Sequence, residues 1–392
     1  MATDNSAVVL RPAIAQGVTA MPFLTDMLEQ TQRKRALDGV LSVENRAPDG
    51  LVQAHLCVNS SLESRYRFDI GVIMASLRSE ILGQDAALQS VEDMLKVVRA
   101  DITDPRRPLF TALFLGPTGV GKTEIVRALA RALHGDADAF CRVDMNTLSQ
   151  EHYAAALTGA PPGYVGAKEG TTLLDQEKLE GSVGRPGIML FDELEKASPQ
   201  VVQTLLNVLD NGMLTVASGE RTYSFRNTLI FMTSNLAAHE IQRYDQRRTG
   251  WRGLIRGATA ASRQRAVDGL VRARLLKAFA PEFINRIDKV ITFNWIEQGV
   301  AEQLAALEVK RLNRRLQKHG CTLEVTPPVL ARVIANGFDR QFGARALRRS
   351  MRQHLEVPLA GYLIDHHAGA AATANIVYLA VLEHGEVHFL RR

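Results

Sequence analysis

The chain has few cysteines and no long apolar run. Its three cysteines, Cys57, Cys141 and Cys321, lie far apart and form no Cys-x-x-Cys pair, which argues against a disulfide framework or a zinc site. No stretch reaches the roughly 18 uninterrupted apolar residues of a membrane-spanning helix, and the first residues lack the basic-then-apolar pattern of a signal peptide. We therefore expect a cytoplasmic protein with no membrane partner.

Proline, glycine and charge of one sign are not in excess either. Among 392 residues there are 14 prolines, 29 glycines and 47 basic against 42 acidic side chains, for a formal net charge of +5. This composition excludes collagen-like, low-complexity and wholly disordered classes. So small a basic excess does not by itself indicate nucleic-acid binding. At about 100 to 200 residues per domain, the length predicts two or three folded domains.

Apolar runs alternate with helical periodicity across residues 73–296. Buried strands are predicted over residues 109–115, 187–191 and 228–232. A helix is predicted between them, with Ser198 as its N-cap and its end at Asn211 and Gly212. This alternation is typical of an α/β domain with a mainly parallel sheet.

Residues 297–392 have a different pattern. A long charged helix is predicted from Glu297 to Lys318, ending at Gly320, and alternation on both sides of Gly385 predicts a hairpin. These features indicate a small α+β domain. Residues 1–72 match no pattern that assigns them a fold, and we expect them to select a substrate or an adaptor.

A glycine-rich segment between a predicted strand and a predicted helix fits the phosphate-loop pattern G-x-x-x-x-G-K-[ST]. It consists of Gly116, Pro117, Thr118, Gly119, Val120, Gly121, Lys122 and Thr123, and Glu124 follows it. Glycines let the backbone N–H groups surround phosphates, while Lys122 would reach the β- and γ-phosphates and Thr123 would bind Mg²⁺. The pattern predicts ATP and Mg²⁺ as ligands; a glycine-rich turn that binds nothing is the alternative.

Two adjacent acids, Asp192 and Glu193, follow the apolar run of the second predicted strand. Buried carboxylates at this point would be costly without a cation or water to satisfy them. Asp192 suits the Mg²⁺ shell, and Glu193 suits activation of a water for attack on the γ-phosphate. The pair therefore predicts hydrolysis, with a solvated surface pair as the alternative.

In this order the motifs resemble those of the AAA+ ATPases, and most closely the second ATPase module of ClpB-type unfoldases, over residues 76–392. The resemblance implies a P-loop domain with a small lid domain after it, and a role for each of five further residues. Ile81 and Leu82 would line the adenine pocket, Asn235 would orient the attacking water, Arg286 would reach the γ-phosphate of a neighbouring subunit, and Arg345 would contact phosphate from the lid.

Residues 159–166 form a glycine- and proline-rich stretch that cannot be a helix or an inner strand. In the family that the chain resembles, this stretch is the pore loop. The resemblance implies that Tyr164 and Val165 grip unfolded polypeptide in the channel of a homo-oligomeric ring, a hexamer. A turn with a buried tyrosine is the alternative.

The chain also departs from that family. The tripeptide Ile-Gly-Phe or Ile-Gly-Leu, with which protease-linked relatives dock on a peptidase, is absent between Asn235 and Phe279. That interval is basic and contains an apolar knot at residues 251–255, either a partner-docking site or a solvated insertion. Besides a protein unfoldase, the sequence leaves open the ATPase ring of a proteolytic complex and a nucleotide-switched scaffold of a secretion or conjugation apparatus. The uncharged tip of residues 159–166 argues against a nucleic-acid motor.

Overall fold

A computed structural model describes residues 64–149, 157, 173–182, 184–216, 221–249, 260–338, 343–367 and 376–392. Tyr164 and Val165, the predicted pore residues, lie outside the described residues. So do residues 1–63 and the apolar knot at 251–255. No helix in the described ranges is long and apolar enough to cross a membrane.

Five parallel strands form the central sheet, in the spatial order β2, β3, β6, β1, β7. In chain order the first seven strands are β1 (Phe110–Leu115), β2 (Cys141–Asp144), β3 (Gly187–Asp192), β4 (Met213–Thr215), β5 (Thr222–Ser224), β6 (Thr228–Ser234) and β7 (Lys289–Thr292). Strands β4 and β5 pair with each other outside the central sheet. Both β3 and β6 are buried along their whole length, as expected for strands covered on both faces. The three strands predicted from sequence are confirmed, whereas β2, β7 and the β4–β5 pair were not predicted.

Helices cover both faces of this sheet. They are α1 (Ile70–Glu80), α2 (Asp85–Arg99), α3 (Lys122–His134), α4 (Gln176–Glu180), α5 (Pro199–Asn211), α6 (Ala238–Thr249), α7 (Ala260–Ala278) and α8 (Pro281–Ile284). The ends of α5 are as predicted. The Ser198 side chain accepts the N–H of Val201, and Gly212 closes the helix in the left-handed conformation, which glycine adopts without steric cost.

The C-terminal part of the chain contains helices and a second, three-stranded sheet. Its elements are α9 (Gln298–Leu316), β8 (Cys321–Val325), α10 (Pro327–Gly337), α11 (Gly343–Met351), α12 (Val357–His366), β9 (Ile376–Glu383) and β10 (Glu386–Arg391). In this sheet β9 lies between β8, to which it is parallel, and β10, to which it is antiparallel. The predicted hairpin is therefore confirmed. Its turn contains His384 and Gly385, both with positive φ.

The basic interval between Asn235 and Phe279 is mostly helical. Helices α6 and α7 occupy much of it, and Ile241, Val267 and Val271 are buried among the core residues on one side of the central sheet. These apolar side chains anchor the described part of the interval, because burial of each contributes about 1.5 to 3 kcal/mol. The two alternatives for residues 251–255 concern a stretch outside the described residues and stay open.

Candidate active site

Most of the predicted site residues meet in a cavity of about 350 Å³ at the carboxyl ends of β3 and β6. Ligands of open α/β sheets bind at this edge. Of the predicted residues, those that line the cavity are Ile81, Leu82, Thr118, Gly119, Val120, Gly121, Lys122, Thr123, Glu124, Asp192, Glu193, Asn235 and Arg345. One cavity thus collects residues as far apart in the sequence as Ile81 and Arg345.

The loop between β1 and α3 has the backbone that its glycines predict. Gly116, Gly119 and Gly121 all have positive φ. A Cβ at Gly116 would lie 2.8 Å from the carbonyl oxygen of Phe293, so a side chain cannot be accommodated there. Because α3 begins directly after Gly121, its free N–H groups and the positive end of its dipole lie beside the cavity, an arrangement that favours anions.

Lys122 lies at the centre of the site. Its ammonium donates hydrogen bonds to the carbonyl oxygens of Gly116 over 2.5 Å and Pro117 over 2.9 Å, and to Asn235 Oδ1 over 2.8 Å. Burial lowers the pKa of Lys122 to about 8, and the nearby carboxylate of Glu195 opposes that shift most strongly. A cation is therefore available where phosphates would approach the loop.

The side chain of Asp192 is held in place by two neighbours. Arg142 on β2 donates to Asp192 Oδ2 over 2.6 Å, and the Thr233 hydroxyl donates a short hydrogen bond to Oδ1. The same hydroxyl accepts the N–H of Glu193 over 3.1 Å. Glu193 has a φ of +58°, which is uncommon for a residue with a side chain and is found most often at functional positions.

Two oxygen donors for a cation lie beside Lys122. The Thr123 hydroxyl and the Asp192 carboxylate both line the cavity. Mg²⁺ prefers hard oxygen donors, and it is usually held by one or two protein oxygens together with substrate phosphates and water. Thr123 and Asp192 therefore fit Mg²⁺.

Part of the cavity lining is apolar. Ile81 and Leu82 lie there with Ile296 and Leu304. The buried side chain of Gln84 links the segment that contains Leu82 to the segment that contains Ile296. It donates to the carbonyl oxygen of Asn294 over 2.9 Å and accepts the N–H of Asn294 over 3.0 Å. An apolar slot of this kind suits the flat face of a nucleotide base.

Arg345 lies on the wall of the cavity at the start of α11. Its side chain is exposed and makes no hydrogen bond or ion pair within the described ranges. The residue before it, Ala344, donates its N–H to the carbonyl oxygen of Gly119 over 3.0 Å. The phosphate loop and the C-terminal helices are therefore in direct contact.

A network of charged side chains, which the sequence did not predict, includes several residues of the cavity lining. Arg311 of α9 bonds Glu124 over 2.6 Å and Glu308 over 3.0 Å, and lies 3.7 Å from Glu80. Arg131 also bonds Glu80. These residues lie on three different helices, so their spacing in the sequence carries no signal of the contact.

Arg286 does not line the cavity. Its Nε lies 2.5 Å from Asp210 Oδ1, near the end of α5, and its side chain is 45% exposed. Arg107 of the same surface donates to the carbonyl oxygen of Arg286 over 3.4 Å. The structure thus separates Arg286 from the other predicted catalytic residues, Glu193 and Asn235.

Two family models match the chain. One, described as "AAA domain (Cdc48 subfamily)", matches residues 107–290. The other, described as "C-terminal, D2-small domain, of ClpB protein", matches residues 296–376. The first match contains the phosphate loop, the paired acids and Asn235, and the second contains α11 with Arg345.

Several relatives cover most of the chain. The Pseudomonas aeruginosa "ATP-dependent protease ATP-binding subunit-like protein AmiB" is 70% identical over 95% of this chain and 100% of its own length. A Rhodococcus erythropolis "ATP-dependent protease ATP-binding subunit-like protein" is 42% identical over 88% of this chain and 93% of its own. The Bacillus subtilis "Negative regulator of genetic competence ClpC/MecB" is 38% identical over 74% of this chain, which spans 34% of that relative.

Proposed function

The chain belongs to the Clp family of AAA+ ATPases, and from that premise we propose that it is a ring-forming, Mg²⁺-dependent ATPase that unfolds proteins by drawing them through a central pore. As a Clp-type ATPase it binds nucleotide, and members of this family typically oligomerise and act on protein substrates. The observation that carries the proposal is the meeting of Lys122, Asp192, Glu193 and Asn235 in one cavity.

In the proposed reaction the phosphates of ATP bind the start of α3 and the Lys122 ammonium, which is charged at neutral pH because its pKa is about 8. Glu193 accepts the proton of the attacking water, and the Asn235 side chain orients that water. Arg142 and Thr233 orient the Asp192 side chain. Thr123 and Asp192 would hold Mg²⁺, which would supply positive charge to neutralise the phosphates during hydrolysis.

Arg286 completes the site from the next subunit in this proposal. It lies on the surface and away from the cavity of its own chain, so its target is the cavity of a neighbour. A guanidinium delivered across an interface neutralises charge that develops on the phosphoryl group. Hydrolysis therefore requires assembly into a ring, which we propose to be a hexamer, and Arg345 connects the nucleotide state with the lid.

In this proposal Tyr164 and Val165 pull on the substrate polypeptide during the ATPase cycle. An aromatic and a branched aliphatic side chain bind unfolded chains through apolar contact without regard to sequence. Repeated movement of such residues during hydrolysis would draw a polypeptide through the ring. Residues 1–72 would select the substrate or an adaptor.

The test is ATP-dependent unfolding of a tagged fluorescent protein, followed by loss of fluorescence, with the ATPase rate measured in parallel. We expect the native chain to unfold it, Tyr164→Ala to hydrolyse ATP without unfolding it, and the matched control Tyr164→Phe to retain unfolding. Hydrolysis by the native chain without unfolding would instead favour a nucleotide-switched scaffold.

A second candidate is the ATPase ring of a proteolytic complex. The names of the two relatives that the chain matches over most of their length, both "ATP-dependent protease ATP-binding subunit-like protein", favour it. The absence of the Ile-Gly-Phe or Ile-Gly-Leu tripeptide argues against the usual docking element. A stable complex with a peptidase, lost on deletion of residues 251–255, would support this second candidate.

A further inference from the structure

We propose that Glu195 is a positioning residue for ATP hydrolysis, which holds Asn235 at the place from which its side chain meets the attacking water. The proposal rests on the proposed role of Asn235 in the ATPase reaction. Glu195 lies in the short helical turn Leu194–Lys196, directly after the paired acids.

A hydrogen bond joins this turn to the end of β6. Glu195 Oε1 accepts the backbone N–H of Asn235 over 3.1 Å. Asn235 is the first residue beyond β6, whose pairing with β1 ends at Ser234. Its amide therefore has no place in the strand ladder, and the Glu195 carboxylate is the acceptor that satisfies it.

The carboxylate of Glu195 has a second oxygen, which this hydrogen bond does not use. Glu195 Oε2 is buried and has no hydrogen-bond partner in the described part of the chain. A buried carboxylate oxygen without a partner is costly. The Lys122 ammonium offsets that cost, because Glu195 is the acidic side chain that acts on it most strongly.

Glu195, Asn235 and Lys122 thus form a connected series. Asn235 is held twice, by Glu195 at its backbone and by the Lys122 ammonium at its Oδ1. When ATP phosphates attract Lys122, the side-chain bond is released and Asn235 Oδ1 becomes available to water. Glu195 then remains to fix the backbone of Asn235, and a displacement of about 1 Å at this point can slow the reaction 100-fold.

The experiment compares Glu195→Ala, Glu195→Gln, Glu195→Asp, Asn235→Ala and the Glu195→Ala/Asn235→Ala pair in the full chain. Steady-state kcat and KM for ATP, displacement of a fluorescent ATP analogue and the thermal midpoint are measured for each. Glu302→Gln, an exposed acid on α9, is the matched control and should change none of them.

We expect Glu195→Ala and the shorter Glu195→Asp to lower kcat about 10- to 100-fold, with ATP affinity unchanged within about threefold. Glu195→Gln retains an oxygen that can accept the Asn235 N–H, so its kcat should remain within about threefold of the native value. The double variant should be no slower than Asn235→Ala, because the two residues act on the same step.

The proposal would be overturned if the kcat losses of the two single variants multiplied in the double variant. It would also be overturned if kcat for Glu195→Gln were as low as kcat for Glu195→Asp. If Glu195→Ala lowered ATP affinity and the thermal midpoint together with kcat, Glu195 would be a structural residue. If Asn235→Ala itself retains native kcat, the proposed role of Asn235 fails and Glu195 fails with it. A loss of kcat in Asn235→Ala with none in Glu195→Ala or Glu195→Asp removes only the positioning role.

Discussion

Ala344 donates its backbone N–H to the carbonyl oxygen of Gly119 over 3.0 Å, so the first turn of α11 rests on the phosphate loop. Gly343 precedes it with a φ of +52°, and a Cβ there would lie 2.9 Å from the same oxygen. Arg345 follows at the cavity wall. A movement of α11 relative to the loop therefore moves Arg345 relative to bound phosphates.

Gly343→Ala should weaken ATP binding about tenfold, because a side chain in the left-handed conformation is strained and would collide with Gly119. Displacement of a fluorescent ATP analogue measures the affinity. Gly299→Ala on α9 is the control, since its Cβ would enter open space, and it should bind ATP as the native chain does. Native affinity in Gly343→Ala would show that the contact does not support the nucleotide site.

Arg311→Ala should lower the free energy of unfolding by about 2 kcal/mol, because it leaves the Glu124 carboxylate without its cation and Glu308 with Arg348 alone in a partly buried network. Denaturant-induced unfolding measures the change. Arg315→Ala is the matched control on the same helix. Its partner is Glu356 and its side chain is 58% exposed, so the loss should stay below about 1 kcal/mol. Equal effects of the two variants would contradict a special role of the network.

Arg286→Ala should lower the ATPase rate about 1,000-fold if the side chain acts in a neighbouring site. Lys122→Ala subunits should also be inactive but carry an intact Arg286. Mixing the two variants should restore hydrolysis, because some interfaces then combine an intact cavity with an intact arginine. The exposed Arg332→Ala on α10 is the control and should retain the native rate. Absence of recovery on mixing would indicate that Arg286 acts within its own chain.

The pH dependence of stability should include a contribution from His134 at the end of α3. Burial lowers its pKa below the ordinary value, and the nearby Arg185 lowers it further, against the opposing effect of its 3.0 Å hydrogen bond to the Pro186 carbonyl. The unfolded chain therefore binds this proton more readily, so stability is lost as the pH falls below about 6.5 toward the lowered pKa of the folded chain. Thermal midpoints between pH 7.5 and pH 5 should decrease less in His134→Gln than in the native chain. Parallel curves would rule out this contribution.

The sequence predicted the parts of the site that are formed by consecutive residues. The phosphate loop, the acids after β3 and the caps of α5 depend on local backbone geometry, so their residue types reveal them. Strands β2 and β7 were not predicted because each has only four residues, too few for a clear periodic pattern.

The contacts that hold the site together depend on tertiary packing and could not be predicted in the same way. Arg142 reaches Asp192 across the β2–β3 pairing, and Glu195 reaches Asn235 across 40 positions of sequence. Such neighbours are set by strand order, which a single sequence does not specify.

The most direct test of the catalytic cavity is a comparison of ATP binding and ATP hydrolysis by Glu193→Gln in one preparation. If Glu193 is the base that activates water, the variant should bind ATP within about threefold of the native affinity and hydrolyse it about 100- to 10,000-fold more slowly. Hydrolysis at the native rate would contradict the account, because the water would then be activated by another group.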